Sequence, residues 1–249
     1  MNLEFIPVKT RIVKPPKDEI WDIIDNLKVE NSDIIFITSK VLSIHQGRTV
    51  PATEEGKEPL VLQEADHCLT YHNNKDDFTA HITVTDGNLI LASGIDASNA
   101  DNHFVLWPKN VDKLCQEIRA RIIKNEAKKQ HKITKLGVVA TDSHSSFLRW
   151  GVTGFTIGLS GIEPLEDIRG DKDLFGREIH ITRVNKIDPL TSMAVLLMGE
   201  SSECTPIMIL RNYKGIKFNA KSTMKDLKIS QEHDIYKPLL DIIPKNDSK

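Results

Sequence analysis

Both common phosphate-binding signatures are missing from this chain. No GxxxxGK(S/T) loop occurs and no GxGxxG follows a strand; Gly154, Gly158 and Gly161 fit neither spacing. Any nucleotide site must therefore be built another way. Cysteine is scarce: Cys68, Cys115 and Cys204 are odd in number, far apart and outside any paired motif. This speaks against a disulfide framework and a thiolate zinc site, and fits a reduced compartment. Neither sign of charge dominates, since 33 basic residues face 35 acidic ones. Bulk electrostatics thus argues against nucleic acid or an anionic membrane as partner. Apolar runs reach only about half of the ~20 residues a membrane helix needs. The opening MNLEFIPVKTRIVKPPKDE meets charge and proline before any run of signal-peptide length. A soluble cytoplasmic protein is the expectation.

The 249 residues, 39% of them hydrophobic and 27% charged, suffice for one large domain or two modest ones. At this length folding buries roughly 70–75% of the unfolded chain's surface, so no covalent or metal staple is needed. DIIFIT (33–38) and LGVVAT (136–141) are continuous apolar runs that predict buried strands, with Ser39 and Lys40 after the first and Asp142 just past the second. HITVTDGNLILASG predicts a hairpin around Asp86-Gly87 and delivers Asp96 beyond its second strand. Helices are predicted over DEIWDIIDNL, over 109–126 and over DPLTSMAVLLMGE, the last capped by Asp188. HITRV and TPIMILR predict further strands; 51–60 reads as a surface loop and GVTGFTIGLSGI as a glycine-spaced stretch. Strands and helices alternate, yet one strand pair is a tight hairpin, which favours a mixed-sheet α+β fold.

The chemically informative residues are carboxylates. Asp96 and Asp142 follow apolar strands and are flanked by small hydroxyl residues. Magnesium and manganese take one or two protein carboxylates and complete their shell with water and phosphate. Two aspartates at adjacent strand ends would supply that arrangement, although an isolated aspartate there is more often a turn cap. Glu200 lies at the carboxyl end of an apolar helix, where its charge opposes the macrodipole and calls for a cation. Asn99 offers both a donor and an acceptor to a ligand. Arg149, Arg169 and Arg177 suit phosphates or carboxylates, and equally the aspartates around them.

IFITSKVLSIHQGR, ASGIDASNAD with LWP after it, VVATDSHSSFLRWGVTGFTIGLSGIEPLEDIRGDKDLFGRE and LLMGESSECTP occur in the order and spacing of the F-420-0:γ-glutamyl ligase family, and FIPVKTRIV is similar to that family's opening segment. The resemblance covers roughly residues 3–212. It implies an enzyme that activates an acceptor carboxylate as an acyl phosphate at the expense of GTP, with ATP as the alternative. The amine of L-glutamate then displaces phosphate. It further implies Mg2+ or Mn2+ bound by Asp96, Asp142, Ser143 and Glu200, with Asp96 and Asp142 central to catalysis. Nucleotide contacts are implied at Ile6, Pro7, Val8, Lys9, Ser39, Lys40, Asn99, Gly199, Ser201, Glu203 and Pro206. A homodimer is also implied.

The resemblance breaks at two places. A SKAEG-type stretch here reads Ser43-Ile44-His45-Gln46-Gly47, so Ile44 stands where the family has a nucleotide-binding lysine, leaving Lys40 or His45 to compensate. An aspartate-threonine-phenylalanine-glycine run becomes Asp142-Ser143-His144-Ser145. Both changes lie beside the implied substrates. They leave three readings: a ligase for coenzyme F-420-0, a folate-type ligase acting on a pterin, and a nucleotide-binding homologue without catalysis. Two lobes are expected: 1–80 completed by part of 185–240, and an inserted lobe over 81–184. Residues 241–249 form a polar tail.

Overall fold

The computed structural model describes residues 2–74 and 77–246. Its centre is a six-stranded sheet, in spatial order Glu4–Val8, Ile207–Arg211, Asp33–Thr38, Leu136–Ser145, Val152–Ile162 and Phe218–Asn219. Asp33–Thr38 and Leu136–Ser145 run parallel, and every other pairing is antiparallel. Three smaller antiparallel sheets accompany it, so the mixed α+β class holds. The expected 1–80 and 81–184 segments meet in the central sheet, where Leu136–Ser145 bonds directly to Asp33–Thr38.

Alternation along the strands explains the two cores. Ile35 and Ile37 join Val138, Ala140, Ile207 and Ile209 on one face, covered by Leu114, Cys115, Ile118 and Ile122 of the helix Val111–Lys128. Ile34 and Phe36 join Val139, Met208 and Leu210 on the other, under Ala194, Val195 and Met198 of the helix Ile187–Met198. Ile34 through Ile37 are wholly buried, each worth about 1.5–3 kcal/mol of transfer free energy. A strand covered on both faces must be apolar throughout, which is why DIIFIT is legible.

The glycine-spaced stretch is in fact the eleven-residue strand Val152–Ile162. Its glycines admit the helices: a Cβ on Gly154 would lie 2.6 Å from Val195, and one on Gly158 would lie 2.4 Å from Val111. Its pairing with Leu136–Ser145 slips once, Ala140 facing Gly158 and Thr141 facing Thr156, so Ile157 is left over as a bulge. Asp142 therefore lies inside a strand that continues to Ser145, not just past its end.

Other expectations shift. The hairpin forms as Phe78–Thr85 and Asn88–Leu91 with Asp86 and Gly87 both at positive φ. The first predicted helix shrinks to Trp21–Asp25, and 51–60 runs into a helix at Glu58–Glu64. Asp188 does not cap: Asn185 Oδ1 accepts from the amides of Ile187 and Asp188, while the Asp188 carboxylate accepts from Thr156 N. The tail docks in part, with Cys68 N donating to Pro244 O and Asn246 N to Asp66 O; residues 247–249 lie outside the described residues. No helix among the described residues is long and apolar enough to cross a membrane.

Candidate active site

Thr38 and Thr141 are the last partners of the parallel pair, and a cleft of about 610 Å3 opens beyond them. Ligands of α/β sheets collect at this end, where the chain leaves the ladder and side chains and backbone groups are released. From Thr38 the backbone turns straight into the helix Ser39–His45, which the sequence reading missed. That turn sets Ser39 and Lys40 at the cleft and buries Leu42 and Ile44.

Asp96 enters on a loop that is tightly fixed. The short turn Ala92–Gly94 precedes it, and Asp96 and Val105 exchange backbone hydrogen bonds of 3.1 and 2.8 Å. Gly94 has φ +68 and a Cβ there would sit 2.2 Å from the Trp107 ring, so only glycine fits. Ser98 closes over Asp96, its amide donating to Oδ1 and its hydroxyl to Oδ2, both at 2.8 Å. Lys40 Nζ lies 2.7 Å from Asp96 Oδ2 and also donates to Ser98 O and Oγ. Desolvation resists ionisation of Asp96, but Lys40 and Ser98 outweigh it and hold the carboxyl below its ordinary range.

Asp142 has the opposite balance. Removal from solvent pushes its carboxyl up to about 7, and the charge of Asp96 adds to the shift. The Ser143 amide at 2.7 Å, the Ser39 hydroxyl and the charge of Lys40 only partly oppose it. Glu200 is also raised, first by desolvation and then by Asp96 and Glu203, against Ser143 and Lys40. Its helix stops at Met198, and Glu200 sits two residues beyond, in a loop entered through Gly199 at φ +83. That loop is tied down from three sides: Asn99 Nδ2 donates to Ser201 O, Thr10 N to Cys204 O, and Thr38 N to Pro206 O.

The structure thus brings Asp96, Asp142, Ser143 and Glu200 to one cleft, together with Ser39, Lys40, Asn99, Gly199, Ser201, Glu203 and Pro206. It does not bring Ile6, Pro7, Val8 and Lys9. The first three lie on a strand paired with Ile207–Arg211, and the cleft is lined from Thr10 to Pro15 instead. Arg11, which the sequence reading passed over, lines the cleft while bonded to Asp18 and Asp22. The three arginines it singled out do not line the cleft, and Arg169 pairs with Asp167. No histidine lines it among the described residues. His45 packs edge-on to Trp21, and Ile44 is in the core at 1% exposure, so of Lys40 and His45 only Lys40 reaches the cleft. His144 packs against Phe155 with ring centroids 4.5 Å apart and the planes tilted by 53°.

The donor set is hard oxygen, carboxylate and hydroxyl, which suits Mg2+ or Mn2+ and not a thiophilic metal. Desolvation first, and then the charge of Asp96, raise Asp142 and Glu200, and a divalent ion would relieve both. Among the described residues no three His, Cys, Asp or Glu stand close enough to form a ready-made metal cluster. The carboxylates therefore share a cleft without converging on one point.

Comparison with known proteins agrees with this geometry. A family model described as F420-0:Gamma-glutamyl ligase matches residues 7–212. The chain is 33% identical to the coenzyme F420:L-glutamate ligase of Methanocaldococcus jannaschii, over 87% of this chain and 89% of that protein. It is 32% identical to the ligase of that name from Methanococcus maripaludis, over 95% and 98%, and 28% identical to that of Archaeoglobus fulgidus, over 96% and 98%. With motifs, cleft and near full-length similarity in register, this chain belongs to the F420-0:gamma-glutamyl ligase family.

Proposed function

We propose that the protein is a divalent-cation- and nucleoside-triphosphate-dependent γ-glutamyl ligase that joins L-glutamate to the terminal carboxylate of coenzyme F420-0. The observation that supports this is the meeting of Asp96, Asp142, Glu200 and Lys40, from four separated stretches, in one cleft at the ends of the parallel strands. The acceptor carboxylate takes the γ-phosphoryl group from GTP, leaving the nucleoside diphosphate. The glutamate amine then attacks the acyl carbon, the carbon–oxygen bond to phosphate breaks, and the nitrogen loses a proton. Asp96, Asp142, Ser143 and Glu200 would hold Mg2+ or Mn2+, which when bound supplies neutralisation of the triphosphate charge. Lys40 adds a fixed positive charge at the phosphates. Asn99 and Thr10 hold the Gly199–Pro206 loop against them, and Ser39 orients Asp142.

Incubation with L-glutamate, Mg2+ or Mn2+, GTP or ATP, and one acceptor at a time tests this reading. A product heavier by one glutamyl unit is expected with coenzyme F420-0 and GTP. Product on dihydropteroate or dihydrofolate alone would move the protein to the folate-type reading. Nucleotide binding without product on any acceptor would make it a non-catalytic homologue.

We also propose that the protein works as a homodimer. Phe147, Leu148 and Trp150, between the paired strands Leu136–Ser145 and Val152–Ile162, are 70–103% exposed, and Leu174 and Phe175 are 90% exposed or more. Large apolar groups in such number mark a surface that is covered in the working assembly. Light scattering is expected to give twice the chain mass, and Leu148→Glu with Trp150→Glu to give the monomer; a monomeric wild type would refute the assembly.

A further inference from the structure

Lys40 has more contacts in this cleft than a waiting phosphate ligand needs. Its ammonium sits 2.7 Å from Asp96 Oδ2, 2.6 Å from Ser98 O and 2.9 Å from Ser98 Oγ, which uses its three protons. On Asp96, Oδ1 accepts from Ser98 N, and both sites of Oδ2 are taken, by Ser98 Oγ and Lys40. A cation that binds through Oδ2 meets Lys40 there. Lys40 contacts Asp96 directly, and its charge also acts on Asp142 and Glu200. Among the described residues the three carboxylates do not gather around any point of their own.

We propose that Lys40 is an internal stand-in for the divalent cation: its ammonium holds Asp96 in the unloaded cleft and exchanges onto the nucleotide's phosphate oxygens when a cation takes Asp96. This rests on the reading of Asp96 as a cation ligand. The exchange gives an order to loading. While Lys40 occupies Asp96, neither Oδ2 nor the ammonium is free for its working partner. Once Asp96 is taken, Lys40 is released at the cleft, where the chain lacks the second lysine that Ile44 replaces. Cation and nucleotide then favour each other's binding through one side chain, a coupling that is reciprocal by thermodynamic necessity.

The test is Mn2+ binding to the full-length protein without nucleotide, followed by electron paramagnetic resonance of the free ion. Lys40→Met is expected to bind Mn2+ about five- to tenfold more tightly than wild type, the release of a partly exposed ion pair and its hydrogen bonds. Ser98→Ala should shift affinity the same way by less, and Lys40→Arg should stay near wild type. Lys14→Met removes another cleft cation and should change little, which separates direct competition from the general field. The same Lys40→Met should bind a non-hydrolysable GTP analogue more weakly in the presence of Mn2+, opposite in sign to its effect on the metal. Equal or weaker Mn2+ binding by Lys40→Met overturns the exchange. Asp96→Asn probes the underlying reading: Mn2+ affinity unchanged in that variant removes Asp96 as a ligand, and the exchange with it.

Discussion

Asp142→Asn is expected to lower kcat/KM by about a thousandfold, on the order of the loss when one charge-stabilising group is removed from a preorganised site. The amide keeps the shape and the contact with the Ser143 amide but cannot carry negative charge to a cation. The same change is expected to stabilise the cation-free protein. Burial pushes the folded carboxyl up to about 7, above the ordinary carboxylate range, so the fold favours its protonated form. Below about pH 4 the group is neutral in both states and contributes no penalty. Between about 4 and 7 the unfolded chain ionises first and stability is lost; above 7 the loss is complete. Asparagine is neutral throughout, so its advantage should be absent at pH 4 and reach about 1–2 kcal/mol at pH 8, below the full linkage value because solvent enters the cleft. Denaturant melts at the two pH values, beside steady-state rates, measure both effects. A variant that is slow and also unstable at pH 8 would mean that Asp142 serves the fold instead.

Ile44→Lys tests whether the family's lost lysine could simply be put back. From sequence alone, restoring it should tighten nucleotide binding if position 44 still faces the phosphates. In the structure Ile44 is 1% exposed, on the buried side of the helix Ser39–His45 and packed in the core, although it reaches the cleft wall. Lysine there forfeits about 2–3 kcal/mol of apolar burial and must desolvate an ammonium as well. A net loss of about 3–4 kcal/mol is expected, which for a chain of this size lowers Tm by roughly 10 °C. Nucleotide affinity should not improve. A variant of wild-type Tm that binds GTP more tightly would show that residue 44 still serves the phosphates.

What could be read from the sequence follows from how strongly each pattern is forced. DIIFIT reads cleanly because both of its faces are covered, and Asp86-Gly87 reads cleanly because two consecutive positive-φ residues select such a pair. Ser39–His45 was missed because seven residues give less than two turns of period, and Val152–Ile162 because its glycines imitate a loop while serving to admit two helices. The acidic residues were legible as a set through the resemblance. The grip of Lys40 and Ser98 on Asp96 was not, since it joins segments 58 residues apart. Of the opening segment, Glu4–Val8 is committed to pairing along its length, and the chain from Thr10 to Pro15 lines the cleft.

The bulge at Ile157 carries one last consequence. Ile157 belongs to the core on the side of Val111, and a Cβ on Gly158 would also meet Val111, so two successive residues lean the same way before alternation resumes. Without Ile157, Ala140 could keep Gly158 and Thr141 could keep Thr156, and the strand would run straight. The wiring of the sheet is thus indifferent to this residue, whereas the aim of the arm beyond it, with Asp142 and Ser143, is not. In descendants of this sequence, a gain or loss of one residue here would retune the reach of the acidic site while every acidic residue stayed unchanged.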